Sequence, residues 1–185
     1  MRVLVTGANG FVGRALCPHL AMPAVRQRPS SIADEIIVHD EVSWKAALEG
    51  CDSVIHLAAR VHVMLDQEPD TLQAFRANNV DTTIELATWS VEAGVRRFVF
   101  MSTIKVNGEE TAPGRSFSPD DPADPKYPYA ISKREAEQGL IEIAHRTGLA
   151  MVIICPPLIY GPGVKGNFSS LIRKTGAVQS CSSTA

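Results

Sequence analysis

Tyr129 and Lys133 stand four residues apart and are the pair in this sequence best suited to moving a proton. A phenol with a reference pKa of about 10 is a poor base at neutral pH unless a cation favours its anion. At this spacing on a helix the two side chains share one face. Lowering the phenol by about three units takes about 4 kcal/mol, at about 1.36 kcal/mol per unit, which Lys133 and a second positive group can share. A hydroxyl pair, Ser102-Thr103, closes an apolar run upstream. By itself Y-x-x-x-K is common, and a surface pair on a helix is the usual explanation for it. Its conjunction with the hydroxyl pair and with the glycine loop below is specific.

The other chemistry is anion binding. Gly7-Ala8-Asn9-Gly10-Phe11-Val12-Gly13 follows an apolar run and opens a helix-period stretch. Gly7 permits a tight turn, Gly10 lets backbone approach a pyrophosphate, and Gly13 allows close packing of helix on strand. The helix N-terminus then supplies unpaired amides and partial positive charge. This context reads as a dinucleotide site, although the spacing is G-x-x-G-x-x-G. At the end of the second run, where an acid would hold a ribose 2′-hydroxyl, stand Arg26, Gln27 and Arg28. Arginine there can pair with a 2′-phosphate, and solvated surface arginines explain it equally well, so NAD and NADP both stay open. Asp34 precedes the third run and is set aside.

These residues need a frame. Apolar runs at Val3–Thr6, Ile36–Val38, Ser53–Leu57, Phe98–Met101 and Met151–Cys155, with a weaker one at Ala24–Arg26, read as buried parallel strands. Helix-period stretches lie between them at Phe11–Leu20, Ser43–Glu49, Asp70–Ala93 and Tyr129–Arg146. The alternation predicts an α/β fold with a doubly wound parallel sheet of the Rossmann type. Ser43 is the expected N-cap of its helix, and Gly94 and Gly148 stand where a glycine would end the two long helices. Pro18 should kink or end the first helix early. The Gly-, Pro- and acid-rich stretch 107–128 suits a surface loop at the carboxyl end of a strand, where such folds place function. Residues 1–172 form the expected dinucleotide-binding domain and residues 173–185 an irregular tail.

Composition narrows the partners. With 185 residues, 45% hydrophobic and 21% charged, the chain can bury one substantial core. A net charge of −2 with scattered Lys and Arg forms no basic stripe, so nucleic acid is not an expected partner. The first apolar run is too short for a signal segment or a membrane span, and a cytoplasmic protein is expected. Cys17, Cys51, Cys155 and Cys181 have no metal-ligand spacing, and no metal site is expected.

Taken in order, Val3–Gly13, Val54-Ile55-His56-Leu57-Ala58-Ala59, Asn78-Asn79-Val80, Tyr127-Pro128-Tyr129 with Ser132-Lys133, and Tyr160-Gly161-Pro162-Gly163 resemble the extended short-chain dehydrogenase/reductase superfamily. The resemblance runs over about residues 1–172 and is to the nucleotide-sugar epimerase and dehydratase branch, UDP-glucose 4-epimerase-like members in particular. It implies Tyr129 as catalytic base, Lys133 as its partner and Thr103 as the hydroxyl on the substrate oxygen. On the cofactor side it implies Gly7, Asn9, Gly10, Phe11, Val12, Gly13, Arg26, Asp40 at the adenine, Leu57, Ala58, Ala59, Asn79 and Pro156, besides Tyr129 and Lys133. Asn167 would touch the substrate diphosphate. A nicotinamide cofactor, NAD by family habit, a nucleoside-diphosphate sugar and a homodimer through the two long helices complete the implication. His56 reads as a packed core side chain.

Departures from the pattern shape the reading. Cys155 replaces an arginine beside the expected nicotinamide pocket, and Ile104-Lys105 replaces the Asp-Glu that follows the threonine in 4,6-dehydratases, which disfavours dehydration. Family members are longer, so the small C-terminal substrate domain is expected to be largely missing. Three readings result: a UDP-hexose 4-epimerase-like enzyme, a 4-ketoreductase on the same residues, and a chain that binds dinucleotide without turnover.

Overall fold

The computed structural model describes residues 1–20, 24–26, 35–37, 40–61, 70–118 and 120–162. Asn167, the boundary at residue 172, the tail and the Arg26 side chain lie outside the described set.

Four strands form one parallel sheet: β1 (Val3–Thr6), β4 (Ser53–His56), β5 (Arg97–Met101) and β6 (Ala150–Ile154), in the order β1-β4-β5-β6. β2 (Ala24–Arg26) and β3 (Glu35–Ile37) pair in parallel as a second ladder, and β2 lies against β1. The spatial order is therefore 3-2-1-4-5-6, the doubly wound arrangement. Register is continuous across the sheet, with Val5 opposite Ile55 and Ile55 opposite Val99. All four residues of β1 are buried, as a central parallel strand with both faces covered requires. The core joins Leu4, Val54, Phe98 and Phe100 of the sheet to Leu86 and Leu140 of the helices.

The helices begin and end for local reasons. α1 (Phe11–Leu20) starts where the Gly10 carbonyl accepts the Arg14 amide, and it runs through Pro18, contrary to the expected early end. The ring there sits in the last turn, where it costs a single interior hydrogen bond. α2 (Glu41–Leu48) is capped by Asp40, not by Ser43. The Asp40 carboxylate accepts the Ser43 amide at 2.9 Å and the Ser43 hydroxyl accepts the Asp40 amide at 3.1 Å, a reciprocal capping box.

The expected long helix from Asp70 to Ala93 is three pieces: α3 (Thr71–Arg76), a π-helical turn (Ala77–Asp81) and α4 (Thr82–Glu92). The wider turn sets Asn79 into the interior at 1% exposure. α5 (Pro128–Thr147) begins with a proline at its first position and stops at Gly148, whose φ is 77°. Arg76 holds α3 on α5 through two-pronged bonds to Glu135 of 2.9 and 2.6 Å. The net effect is to aim the starts of α1 and α5 and the carboxyl ends of β1, β4 and β5 at one place.

Candidate functional site

At that place lies a cavity of about 620 Å³. Its wall includes Gly7, Gly10, Phe11, Val12 and Gly13 from the first loop and helix, Leu57, Ala58, Ala59 and Arg60 after β4, and Ser102, Thr103, Tyr129, Lys133 and Pro156. The two parts of the sequence that could do chemistry thus share one space.

The loop is built for an anion. Gly7 has φ of +70°, and a Cβ there would stand 2.5 Å from the Ala58 nitrogen. A Cβ on Gly13 would stand 2.4 Å from the Gly7 carbonyl oxygen, so only glycine lets helix and strand approach this closely. The first-turn amides of α1 have no intrahelical acceptor, and no acid occupies that turn to compete for its positive end. Asn9 is exposed on the same loop but outside the cavity wall, and Asp40 spends a carboxylate oxygen on its cap.

Across the cavity from the glycine loop, the two hydroxyls face different partners. Ser102 is buried and bonds Glu137 of α5, whose other oxygen accepts Arg134 at 3.0 Å. Thr103 faces the cavity, its oxygen accepting the Lys105 amide at 3.3 Å at the start of a short 3₁₀ turn (Ile104–Val106). Tyr129 meets Phe75 edge to face, with centroids 6.1 Å apart. Lys133 is 1% exposed, donates to the Met101 carbonyl at 2.8 Å and lies 4.3 Å from the centre of the Phe100 ring. Burial lowers it to about 8 against the pull of the Glu137 charge.

The Tyr129 phenol is set by its surroundings. In the chain without a nicotinamide, burial raises the Tyr129 phenol above its ordinary value. Lys133 directs its ammonium to the Met101 carbonyl and the Phe100 ring.

Cys155 departs from its expected place. It lines a second cavity with Ser118, Arg134 and Glu137, its thiol 3.5 Å from the Glu137 carboxylate, and burial pushes it up to about 11. It is a half-buried thiol outside the wall of the first cavity, and its raised pKa keeps it protonated at neutral pH. Asn79 stands behind the cavity wall and Asn78 in it. His56 is packed as expected, 2% exposed between Phe98 and Phe100. Sequence reasoning missed Glu137, although its place four residues after Lys133 puts it on the same helical face. Among the described residues no cluster of three His, Cys, Asp or Glu could hold a metal ion, and no helix is long and apolar enough to cross a membrane.

Comparison with known proteins decides the family. The sequence pattern of the NAD dependent epimerase/dehydratase family matches residues 3–182. This chain belongs to that family. A UDP-glucose 4-epimerase of Vibrio cholerae is a family relative 37% identical over 182 residues, an alignment covering 92% of this chain and 56% of the relative. Among solved structures, MoeE5 in complex with UDP-glucuronic acid and NAD superposes with a TM-score of 0.78 at 30% identity, over 94% of this chain and 60% of that one. DesIV, a dTDP-glucose 4,6-dehydratase from Streptomyces venezuelae with NAD and TYD bound, gives 0.76 at 27% identity, over 88% and 57%. The chain thus spans little more than half the length of these epimerase/dehydratase family members.

Proposed function

We propose that this chain is the dinucleotide-binding and catalytic part of a nucleotide-sugar 4-epimerase that uses NAD. The observation that carries the reading is the single cavity in which the anion-binding glycine loop faces Thr103, Tyr129 and Lys133. The residues present fit the cofactor: amides of Phe11, Val12 and Gly13 would hold its pyrophosphate at a turn whose close backbone approach only glycine at positions 7 and 13 allows. Asp40 at the adenine, Arg26 and Asn9 belong to the same reading, as does Asn167 at the substrate diphosphate. When bound, the nicotinamide supplies an acceptor and later a donor of hydride.

The protein's own part is proton transfer and orientation. Tyr129 takes the proton of a sugar hydroxyl, with Thr103 donating its own hydroxyl proton to the same oxygen, since the Thr103 oxygen already serves as acceptor for Lys105. Lys133 lies beneath, held on Met101, and offers positive charge once the phenolate forms. Dehydration finds no support in this arrangement. Ile104 lines the second cavity and Lys105 pairs with Glu109 at 2.7 Å, so neither supplies an acid or base to the site. The reading includes a homodimer across α4 and α5, which sedimentation would test.

Calorimetry with NAD and NADP, followed by product analysis with a UDP-hexose and a UDP-4-keto-sugar, tests the proposal. NAD binding and interconversion of hexose epimers by a chain of full family length are the expected results. Reduction of the keto-sugar without epimer exchange would make it a 4-ketoreductase. Gly10→Val brings its Cβ 3.0 Å from the Gly7 carbonyl oxygen, which a shift of a few tenths of an ångström in that turn relieves, so it should keep the fold while abolishing dinucleotide binding by filling the loop. Unchanged affinity in that variant would overturn the cofactor assignment.

A further inference from the structure

From His56, which lines the cavity, a buried chain of hydrogen bonds that the reaction does not use runs through Thr6, Thr83, Asn79 and Ser132, and none of the five is more than 2% exposed. Counting protons along it fixes the state of the histidine. The Thr83 hydroxyl lies 2.7 Å from the Asn79 carbonyl oxygen, which can only accept, so the Thr83 proton goes there. The Thr83 oxygen, 3.0 Å from His56 Nε2, must then accept, and Nε2 carries the ring proton. A neutral ring leaves a lone pair on Nδ1, 2.6 Å from Thr6 Oγ1, so Thr6 donates to it. Thr6 in turn accepts the Ala58 amide at 3.2 Å. Burial and the nearby Lys133 charge hold the ring neutral, its pKa lowered to about 3.

The far side of the chain continues from Asn79. Its side-chain oxygen accepts the Arg60 amide at 2.7 Å, and its nitrogen donates to the Arg60 carbonyl and to Ser132 Oγ, both at 3.1 Å. Ser132 passes its proton to the carbonyl of Tyr129 at 2.8 Å. The two ends are therefore the Ala58–Arg60 turn of the cavity wall and the helical turn that carries the catalytic phenol.

We propose that His56 is a positioning residue: fixed as the Nε2–H tautomer, it holds the Ala58–Arg60 turn in register with the Tyr129 turn of α5. The proposal rests on the reading of the cavity as a dinucleotide site, but its geometry is present in the cofactor-free chain and is tested there first. Nitrogen-15 NMR of the 185-residue chain without cofactor should show His56 neutral at pH 6, with the proton on Nε2. His56→Phe removes both ring bonds. In the cofactor-free protein it should speed amide exchange of Ala58 and Arg60 by about tenfold over any change at the Phe98 and Phe100 amides of β5, because the acceptors of those two amides lose the ring that orients them, Thr6 directly and Asn79 through Thr83. His56→Asn keeps an acceptor for Thr6 and should restore Ala58, whereas His56→Gln keeps a donor toward Thr83 and should restore Arg60. In the same variants NAD affinity should fall and recover with the protection. A proton on Nδ1, a charged ring, or equal acceleration at Ala58, Arg60 and β5 would overturn the positioning role, even in a chain that binds NAD. A wild-type chain that binds no dinucleotide would instead remove the reading of the cavity, and the tautomer and exchange results would still decide the role of His56.

Discussion

Tyr129 sits in a wall that disfavours its anion, and burial holds its phenol above the ordinary range until something positive enters the cavity. NAD carries such a charge on its oxidised ring, so binding should lower the Tyr129 pKa. The phenolate absorbance of the chain, with Tyr129→Phe as the blank, is expected to titrate above pH 10 alone and at lower pH with NAD. No movement on saturation would remove Tyr129 as the base. His56 poses the opposite problem, a base whose charged form is excluded from the core. Its pKa is about 3 folded against 6.5 in the open chain, so the unfolded state binds more protons between those values. Stability is fully present above pH 6.5 and is lost as pH falls toward 3, with a slope approaching about 1.4 kcal/mol per pH unit. Urea unfolding at pH 7, 6 and 5 should show this loss in the wild type and a flatter profile in His56→Phe, in a range where the carboxylates are still ionised. Parallel slopes would mean that the ring is charged in the folded chain or not buried as described.

The glycine loop shows which elements were legible. Parallel strands covered on both faces must be continuous apolar runs, so β1, β4, β5 and β6 stand out by composition, and the loop after β1 is marked by its glycines. Gly13 in that loop and Gly94 at a helix end serve different ends and should fail differently. Gly13→Ala sets a methyl 2.4 Å from backbone with nowhere to move and should cost about 3 kcal/mol. Gly94→Ala meets nothing within 4 Å and has only its φ of +76° to resist it, so about 1 kcal/mol is expected. Urea midpoints of the two variants check the order, and a milder Gly13→Ala would mean that α1 sits farther from β1. The π turn was not legible, because a single widened turn barely disturbs a 3.6-residue apolar period over Asp70–Ala93. Nor could pattern choose between Asp40 and Ser43 as a cap, since both residue types favour that position and here they bond each other.

At the scale of the whole molecule, the site was legible where one backbone feature demands one residue type and illegible where a side chain's direction decides. The glycine loop, Tyr129 with Lys133, and Thr103 converge on the cavity as their motifs imply. Cys155 does not, because it turns to Glu137 beside β6, and Glu137 looks in sequence like an acid for the solvent face of a helix. The sheet also has an unequal pair of flanks. β6 pairs with β5 along one side, while Val152 and Ile154 are 42% and 41% exposed. Relatives extend well beyond the length matched here, with the V. cholerae protein covered over 56% of its length. Binding of a nucleoside diphosphate away from the reacting carbon is what holds a sugar in position for hydride transfer, and misplacement by about 1 Å can cost about 100-fold. Residues 1–185 should therefore bind NAD yet turn over a UDP-hexose at least about 100-fold more slowly than a version extended to family length. Extension should restore turnover only with Tyr129 intact. A coupled assay on both lengths, each with and without Tyr129→Phe, checks this. Equal rates for the two lengths would show that all the substrate-holding surface already lies within these residues, and turnover by the extended Tyr129→Phe protein would place the base elsewhere.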